Sequence, residues 1–420
     1  MNERLLQYIW QFQYLNNSDL ETTAAQSLQV IFAGMYNTNQ GPDFLNAKIK
    51  IGEATWAGSV ELHINSSDWK RHNHSNDKNY NNVILHVVWN HDVDLSLPFP
   101  TLEIHTRVSK LLLKKYEELM QNRYFIPCEE HIHKVSELTL SKLKERLLIE
   151  RLQQKALCIE EHLKKNNQHW EECFWWMLAR NFGTKINSDA FEKIARTIPI
   201  NILAKHKHQL LQLEALLMGQ AGLLDKNFTE SYPIMLQKEY QFLRKKYQLK
   251  NILHPLHFLR MRPANFPTVR LAQLATIIQQ SHHLFGRIKD MADLKEAQAL
   301  FNVTANDYWH YHYVFDETSP FKKKALGREM TRNIMINTVI PMLYAYGYLS
   351  DKETFKNKAV HWVAQLGSET NSITKGFVSL GVKNDSAFDS QALLQLKNFY
   401  CDQKHCLTCA VGNELLKAER

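Results

Sequence analysis

The sequence predicts a mixed α+β protein: a small N-terminal α/β domain built on a mixed sheet, followed by a larger all-α domain. Two patterns carry this prediction. Between Asp43 and Val108, apolar and polar residues alternate in short runs, which is the period of strands. From about Ser136 onward, apolar residues recur every three and four positions almost without interruption, which is the period of amphipathic helices. The expected boundaries are 1–125 for the α/β part, 126–400 for the helical part and 401–420 for a cysteine-rich tail.

Taken in order, MNERLLQYIWQFQYL sets Leu5, Leu6, Ile9, Trp10 and Phe12 in a helical stripe. Asn17-Ser18-Asp19 then offers caps for the segment LETTAAQSLQVIFAG. After Gly41-Pro42, DFLNAKIKIG reads as a strand with Leu45, Ala47, Ile49 and Ile51 on one face and Asn46, Lys48 and Lys50 on the other. In SVELHIN, Val60, Leu62 and Ile64 oppose Ser59, Glu61, His63 and Asn65. NVILHVVW is nearly all apolar, as expected of a central strand covered on both faces. TLEIHTRV alternates again, with Glu103, His105 and Arg107 together. Downstream, LSKLKERLLIERLQQKALCIEEHLKK, WEECFWWMLARNF, LLQLEALLMGQAGLL and TVRLAQLATIIQQSHHLF all read as helices, and RMRPANFP interrupts them. No fixed repeat runs through these helices, which disfavours a solenoid.

Composition narrows the function classes. The chain has 420 residues, of which 44% are hydrophobic and 22% charged, so it is long enough for two or three ordered domains. Lys and Arg number 51 against 43 Asp and Glu, a formal charge of +8 that leans toward polyanionic partners such as nucleic acid. The N-terminal stretch lacks the organisation of a signal peptide, and no apolar run approaches the roughly eighteen residues of a membrane span. With only six cysteines, the expected setting is a reducing cytoplasm and no membrane partner. P-loop, dinucleotide-binding and nucleophile-elbow motifs are absent, which weakens ATP-driven, dinucleotide and serine-hydrolase readings.

The chemistry concentrates in GPDFLNAKIKIGEATWAGSVELH. Asp43 and Glu61 on neighbouring strands would suit a hard divalent cation, Mg²⁺ or Mn²⁺, and His63 follows Glu61 on the same face. The order helix, strand with Pro42-Asp43, strand with Glu61-Leu62-His63, apolar strand resembles the PD-(D/E)xK core of restriction-endonuclease-like nucleases over residues 20–110. That resemblance implies a restriction-endonuclease-like domain in which Asp43 and Glu61 bind the metal. His63 stands where the family has Lys, and would orient or deprotonate the attacking water. Lys48 and Lys50 are candidates for the positive charge that the Lys would have supplied. The plainer reading is a solvated strand face, and Glu103-Ile104-His105 shows that such pairs recur.

Just downstream, SSDWKRHNHSNDKNY offers Asp68, His72, His74 and Asp77, either as further ligands or phosphate contacts or, as favoured here, as a polar loop pinned by Trp69. His86 reads as a core histidine. The sharpest single signal is Cys401-x4-Cys406-x2-Cys409, three soft donors that need a fourth. Cys128 is the best candidate, with His131 and His133 as substitutes; zinc and a [4Fe–4S] cluster fit equally well. Joining distant segments in this way is similar to the iron–sulfur staple of some helicase-linked and CRISPR-associated nucleases, although the spacing differs. Cys158 and Cys173 read as core, and Arg260, Arg262 and Arg270 as braces of a turn.

GPDF, GSVELH, SSDW, YNNVILHVV, RPANFP and KHCLTCAVG together resemble an uncharacterised bacterial domain-of-unknown-function family along the whole chain, which implies no activity. The expected function is therefore a metal-dependent nuclease cleaving DNA or RNA. The alternatives are a non-catalytic nucleic-acid-binding or scaffold protein with a degenerate core, and a zinc hydrolase of a small substrate using His63, His72 and His74. Oligomeric state is left open.

Overall fold

In the computed structural model, which describes residues 1–250, 256–259, 261–281 and 283–417, the first helix begins where the sequence supplies a cap. Asn2 accepts from the Leu5 N–H at 2.9 Å and starts α1 (Glu3–Gln11), whose Leu5, Leu6, Ile9 and Trp10 are buried. The strands are β1 (Leu20–Glu21), β2 (Ser27–Phe32), β3 (Met35–Tyr36), β4 (Phe44–Ile51), β5 (Ala54–Asn65), β6 (Val83–Asn90) and β7 (Thr101–Glu103). They form one mixed sheet in the order β1-β2-β4-β5-β6-β7, with β3 also paired to β4. Pairings from β1 to β5 are antiparallel, whereas β6 lies parallel to both β5 and β7. α1 packs against β5. The crossover from β5 to β6 carries the short helix α2 (Asp68–Arg71) and two 3₁₀ turns. β6 is buried on both faces, as its apolar run predicts.

Two local readings are corrected. LETTAAQSLQVIFAG does not continue into a helix. Thr22 and Gln26 close a turn through Thr22 N–H to Gln26 O (2.9 Å) and Gln26 N–H to Thr22 Oγ1 (3.2 Å), and Val30-Ile31-Phe32 then joins the sheet beside β4. In β4, Asn46 adopts φ +58° and the register shifts between Phe44 and Ala47. This bulge puts Phe44 into the core where strict alternation predicts Leu45; Ala47, Ile49 and Ile51 are buried as expected. Gly58 is required by close approach: a Cβ there would stand 2.4 Å from Ile84 Cγ2 and 2.6 Å from the Asn82 carbonyl.

The chain divides into two compact units. The first comprises residues 1–144, 375–382 and 394–420, so the C-terminal cysteines belong with the sheet. It also contains α3 (Lys110–Gln121) and the start of α4 (Glu137–Lys165). The second unit, residues 145–374 and 383–393, is mainly helical. Its core includes Leu152, Ile159 and Leu163 of α4, and Phe174, Trp175 and Phe182 of α5 (Trp170–Phe182). Cys173 lies in that core, but Cys158 is exposed because the buried stripe of α4 runs through Ala156 and Ile159 on either side of it. Arg270 braces the Pro263–Asn265 turn by donating to Asn265 Oδ1 at 2.5 Å, and Arg260 lies outside the described residues. Among the described residues no helix is long and apolar enough to cross a membrane.

Candidate metal centre

The polar face of β5 is not solvated. Glu61 is 6% exposed and His63 1%, because the β5–β6 crossover lies over them, with Trp69 buried beneath it. The other Glu-x-His pair behaves as a surface: Glu103 and His105 meet at 3.3 Å with side chains 33% and 43% exposed. Spacing alone cannot separate the two pairs. Burial does.

Around Glu61 the structure gathers four imidazoles. His63 Nε2 stands 3.1 Å from His72 Nδ1 and 3.3 Å from His74 Nε2, and the three ring nitrogens all lie within 4.8 Å of one another. Glu61 Oε1 is 3.6 Å from His63 Nε2 and 3.4 Å from His74 Nε2. Nitrogens ligating one tetrahedral zinc at about 2.0–2.1 Å sit about 3.3 Å apart, so these separations suit a shared ion. His72 and His74 are thus brought to His63, against the favoured reading of that loop as merely polar.

His63 and His74 are held from behind. His86 Nε2 lies 2.9 Å from His63 Nδ1, and His86 is in register with Glu61 across the parallel pair. Tyr80 stacks on His74 with ring centroids 3.9 Å apart, and Trp69 Nε1 donates to Ser75 Oγ at 2.9 Å. Asp68 and Asp77 serve the loop itself: Asp68 accepts from Asn65 N–H at 3.1 Å, and Asp77 from Asn79 N–H at 2.9 Å.

Asp43 joins Glu61 as expected. Its N–H donates to Glu61 Oε2 (3.0 Å), while its own carboxylate accepts from Leu62 N–H (3.1 Å) and Gln7 Nε2 (2.7 Å). With Asp43 thus occupied, the donors that converge are the three imidazoles and Glu61 Oε1. That donor set suits a borderline cation such as Zn²⁺ better than Mg²⁺ or Mn²⁺, which prefer oxygen. Lys48 and Lys50 are not brought to this site. They pair with Ala57 and Thr55 toward the β4–β5 hairpin, and Ala57 is about 20 Å from His63 along the strand at about 3.3 Å per residue.

The electrostatics favour a cation. Burial, and then the neighbouring Asp43, raises Glu61 well above the usual carboxylate range; burial and the Glu3 charge likewise raise Asp43. Burial and the other histidines hold His63 and His74 neutral, and push His86 down to about 4. Neutral imidazole is the form that ligates. His86 is a core histidine as read, fully buried, but its partner His63 lies across a strand pairing that the sequence does not specify.

Residues 3–372 match the family described as a protein of unknown function, DUF2851. The chain belongs to that family. The match spans the histidine site and Cys128, and ends before the three C-terminal cysteines. Neither a curated protein nor a solved structure matches the chain.

Proposed function

We propose that this DUF2851 protein is a metal-dependent hydrolase of phosphodiester bonds, acting on nucleic acid through one divalent cation at His63, His72, His74 and Glu61. The observation that carries the reading is the convergence of three imidazole nitrogens on a buried carboxylate. The strand order supports the substrate class. A helix, an antiparallel pair carrying Asp43 and Glu61, and a crossover to the parallel β6 follow the order that the nuclease resemblance implies. The net charge of +8 suits a polyanion.

A bound divalent cation supplies a polarised phosphoryl oxygen and a water of lowered pKa. The chain's own residues do the rest. His72 is exposed and marks the open side of the site, where a strand of nucleic acid can approach. Asp43 fixes the Glu61 carboxylate by donating its N–H to it, and Gln7 and Leu62 fix Asp43 in turn. Lys48 and Lys50 are not brought to the site to neutralise the phosphate, in contrast to the nuclease pattern. A cytoplasmic setting goes with this reading.

The test is cleavage of labelled single- and double-stranded DNA and RNA, beside a small phosphodiester, in Zn²⁺, Mn²⁺ and Mg²⁺. Cleavage lost by at least about 100-fold in both His72→Ala and His74→Ala is expected. Retention in both variants overturns the assignment. Turnover of the small ester alone would favour the small-substrate zinc hydrolase, which the same histidine cluster supports. Salt-sensitive binding without turnover in any metal would leave a binding protein.

A further inference from the structure

The second unit contains a long stretch without counter-charge. Between residues 240 and 289 the chain carries nine Lys or Arg residues and no Asp or Glu, and the run Lys322-Lys323-Lys324 follows further on. Two of these cations are folded inside. Arg270 is 8% exposed and Lys324 4%, and among the described residues neither meets a carboxylate. Burial pulls Arg270 down to about 10 from its usual 12.5, with no neighbouring acid to oppose the shift. Buried charges are as a rule paired.

Both cations are tied to the start of the helix Pro267–Gln280. The Arg270 side chain runs back toward that end, where Nη2 donates to Asn265 Oδ1 at 2.5 Å, while Nη1 donates to Gln273 Oε1 at 3.0 Å. Gln273 in turn donates to the Lys324 carbonyl at 3.1 Å. The Thr268 hydroxyl donates to the Tyr313 carbonyl, and the Lys324 ammonium lies 3.7 Å from the centroid of the Tyr313 ring. The helix start itself is incomplete. Pro267 has no N–H, Phe266 supplies no side-chain cap, and the N–H groups of Thr268 and Val269 have no acceptor among the described residues. Pro267, Thr268, Val269 and Arg270 are all buried, and Arg270 Nε is buried without a partner. Asn265 and Gln273 orient the guanidinium but leave its charge uncompensated. A brace for the turn needs a donor; it does not need a cation.

We propose that the start of the Pro267–Gln280 helix is a phosphate site, at which Arg270, Lys324 and the N–H groups of Thr268 and Val269 take one phosphate group. A phosphate supplies what each of these donors is missing. It brings negative charge to the two cations, acceptor oxygens to Arg270 Nε and the two N–H groups, and the anion that a helix N-terminus favours. Approach is from residues 262–265, which are exposed or half-buried. The phosphate belongs either to a nucleic-acid strand or to a small phosphorylated molecule. Phosphate binding here does not depend on the hydrolase reading, because every residue involved belongs to the second unit.

The experiment is equilibrium dialysis of radiolabelled inorganic phosphate against the full chain carrying His72→Ala and His74→Ala. The protein is stripped of divalent metal and held at constant ionic strength with chloride, so that the histidine site holds no phosphate through a cation. About one phosphate per chain is expected, displaced by sulfate and not by chloride. Lys324→Met and Arg270→Gln should each weaken binding by at least about 10-fold. Lys245→Gln, which removes an exposed cation of the same acid-free stretch, should change it by less than about twofold. No saturable binding by the parent up to about 20 mM phosphate overturns the proposal, whether or not the variants fold. So does binding that survives both Lys324→Met and Arg270→Gln, or that Lys245→Gln weakens equally. A labelled single-stranded oligonucleotide then separates the two sources. Displacement of the strand by phosphate, with weaker strand binding in both variants, assigns the site to a nucleic-acid backbone. Strand binding untouched by the substitutions that abolish phosphate binding assigns it to a small phosphorylated molecule.

Discussion

The most telling perturbation is His86→Phe, because it replaces none of the candidate ligands and acts through the one it supports. A His63 that ligates through Nε2 must carry its proton on Nδ1, and that N–H has one acceptor, His86 Nε2 at 2.9 Å. Without metal, His63 can place the proton on Nε2 instead, facing His72 Nδ1 at 3.1 Å. Removing His86 therefore costs the metal-free state little and leaves the bound state with a buried, unpaired donor. That differential is about 1–3 kcal/mol, or about 5- to 150-fold in affinity. It overlaps the roughly 10- to 100-fold seen when partners of metal-bound histidines are removed. Chelator competition with Zn²⁺ and Mn²⁺ on the folded variant measures it. His86→Gln, which restores an acceptor of similar reach, should recover most of the affinity. The wild-type His86 Nδ1 is buried without a partner, so the metal-free His86→Phe protein should unfold no more easily than the parent. Affinity within about twofold of wild type in a folded His86→Phe protein would refute the tautomer argument.

Three further outcomes are expected. Stripping the protein with a chelator should abolish cleavage, and Zn²⁺ should restore it at concentrations well below those needed for Mn²⁺ or Mg²⁺, since imidazole favours the former; equal efficacy of all three metals would count against the histidine site. Gly58→Ala should lower the denaturant midpoint by about 1–3 kcal/mol in stability through overlap with Ile84 and the Asn82 carbonyl, and an unchanged midpoint would show that the strands can part there. In the second unit, Glu214 is fully buried among Tyr232, Asn306 and Trp309, and burial raises it to about 7 from an ordinary 4.5. The folded state then binds more protons than the unfolded state between those values, so this group costs stability as pH rises from 4.5 toward 7, by up to about 3 kcal/mol. The stability difference between Glu214→Gln and wild type should therefore grow in favour of the variant over that interval, and a difference independent of pH would sink the argument.

Much of the fold was legible because it is local. The stripe Leu5, Leu6, Ile9 and Trp10, the apolar run of β6 and the long period of α4 each declare their element within one window. The failures are the non-local ones. Nothing within LETTAAQSLQVIFAG says that Leu28 will find Ile51 as its partner, and the polar caps before it point to a helix. Asn46 gives no hint in an alternating pattern that it will take a left-handed conformation and trade Leu45 for Phe44 in the core.

The site divides along the same line. Asp43 and Glu61 were legible because the hairpin that joins their strands fixes their neighbourhood, and their N–H to carboxylate bond follows. Whether Glu61 and His63 face water was not legible, since alternation states which residues share a face but not what covers it. The cover is the crossover from Ser66 to Asn82, and it decides the chemistry. It buries the strand face, delivers His72 and His74 onto it, and stacks Tyr80 behind His74. A loop rich in Asn, Asp and Lys reads as solvent-facing, and most of this one is exposed. Its two histidines face the other way because Trp69, buried at 2% exposure, anchors the loop at one end and sets their direction. The oxygen-rich donor set expected from the carboxylates is thereby a nitrogen-rich one, and the cation that such a set would favour changes with it.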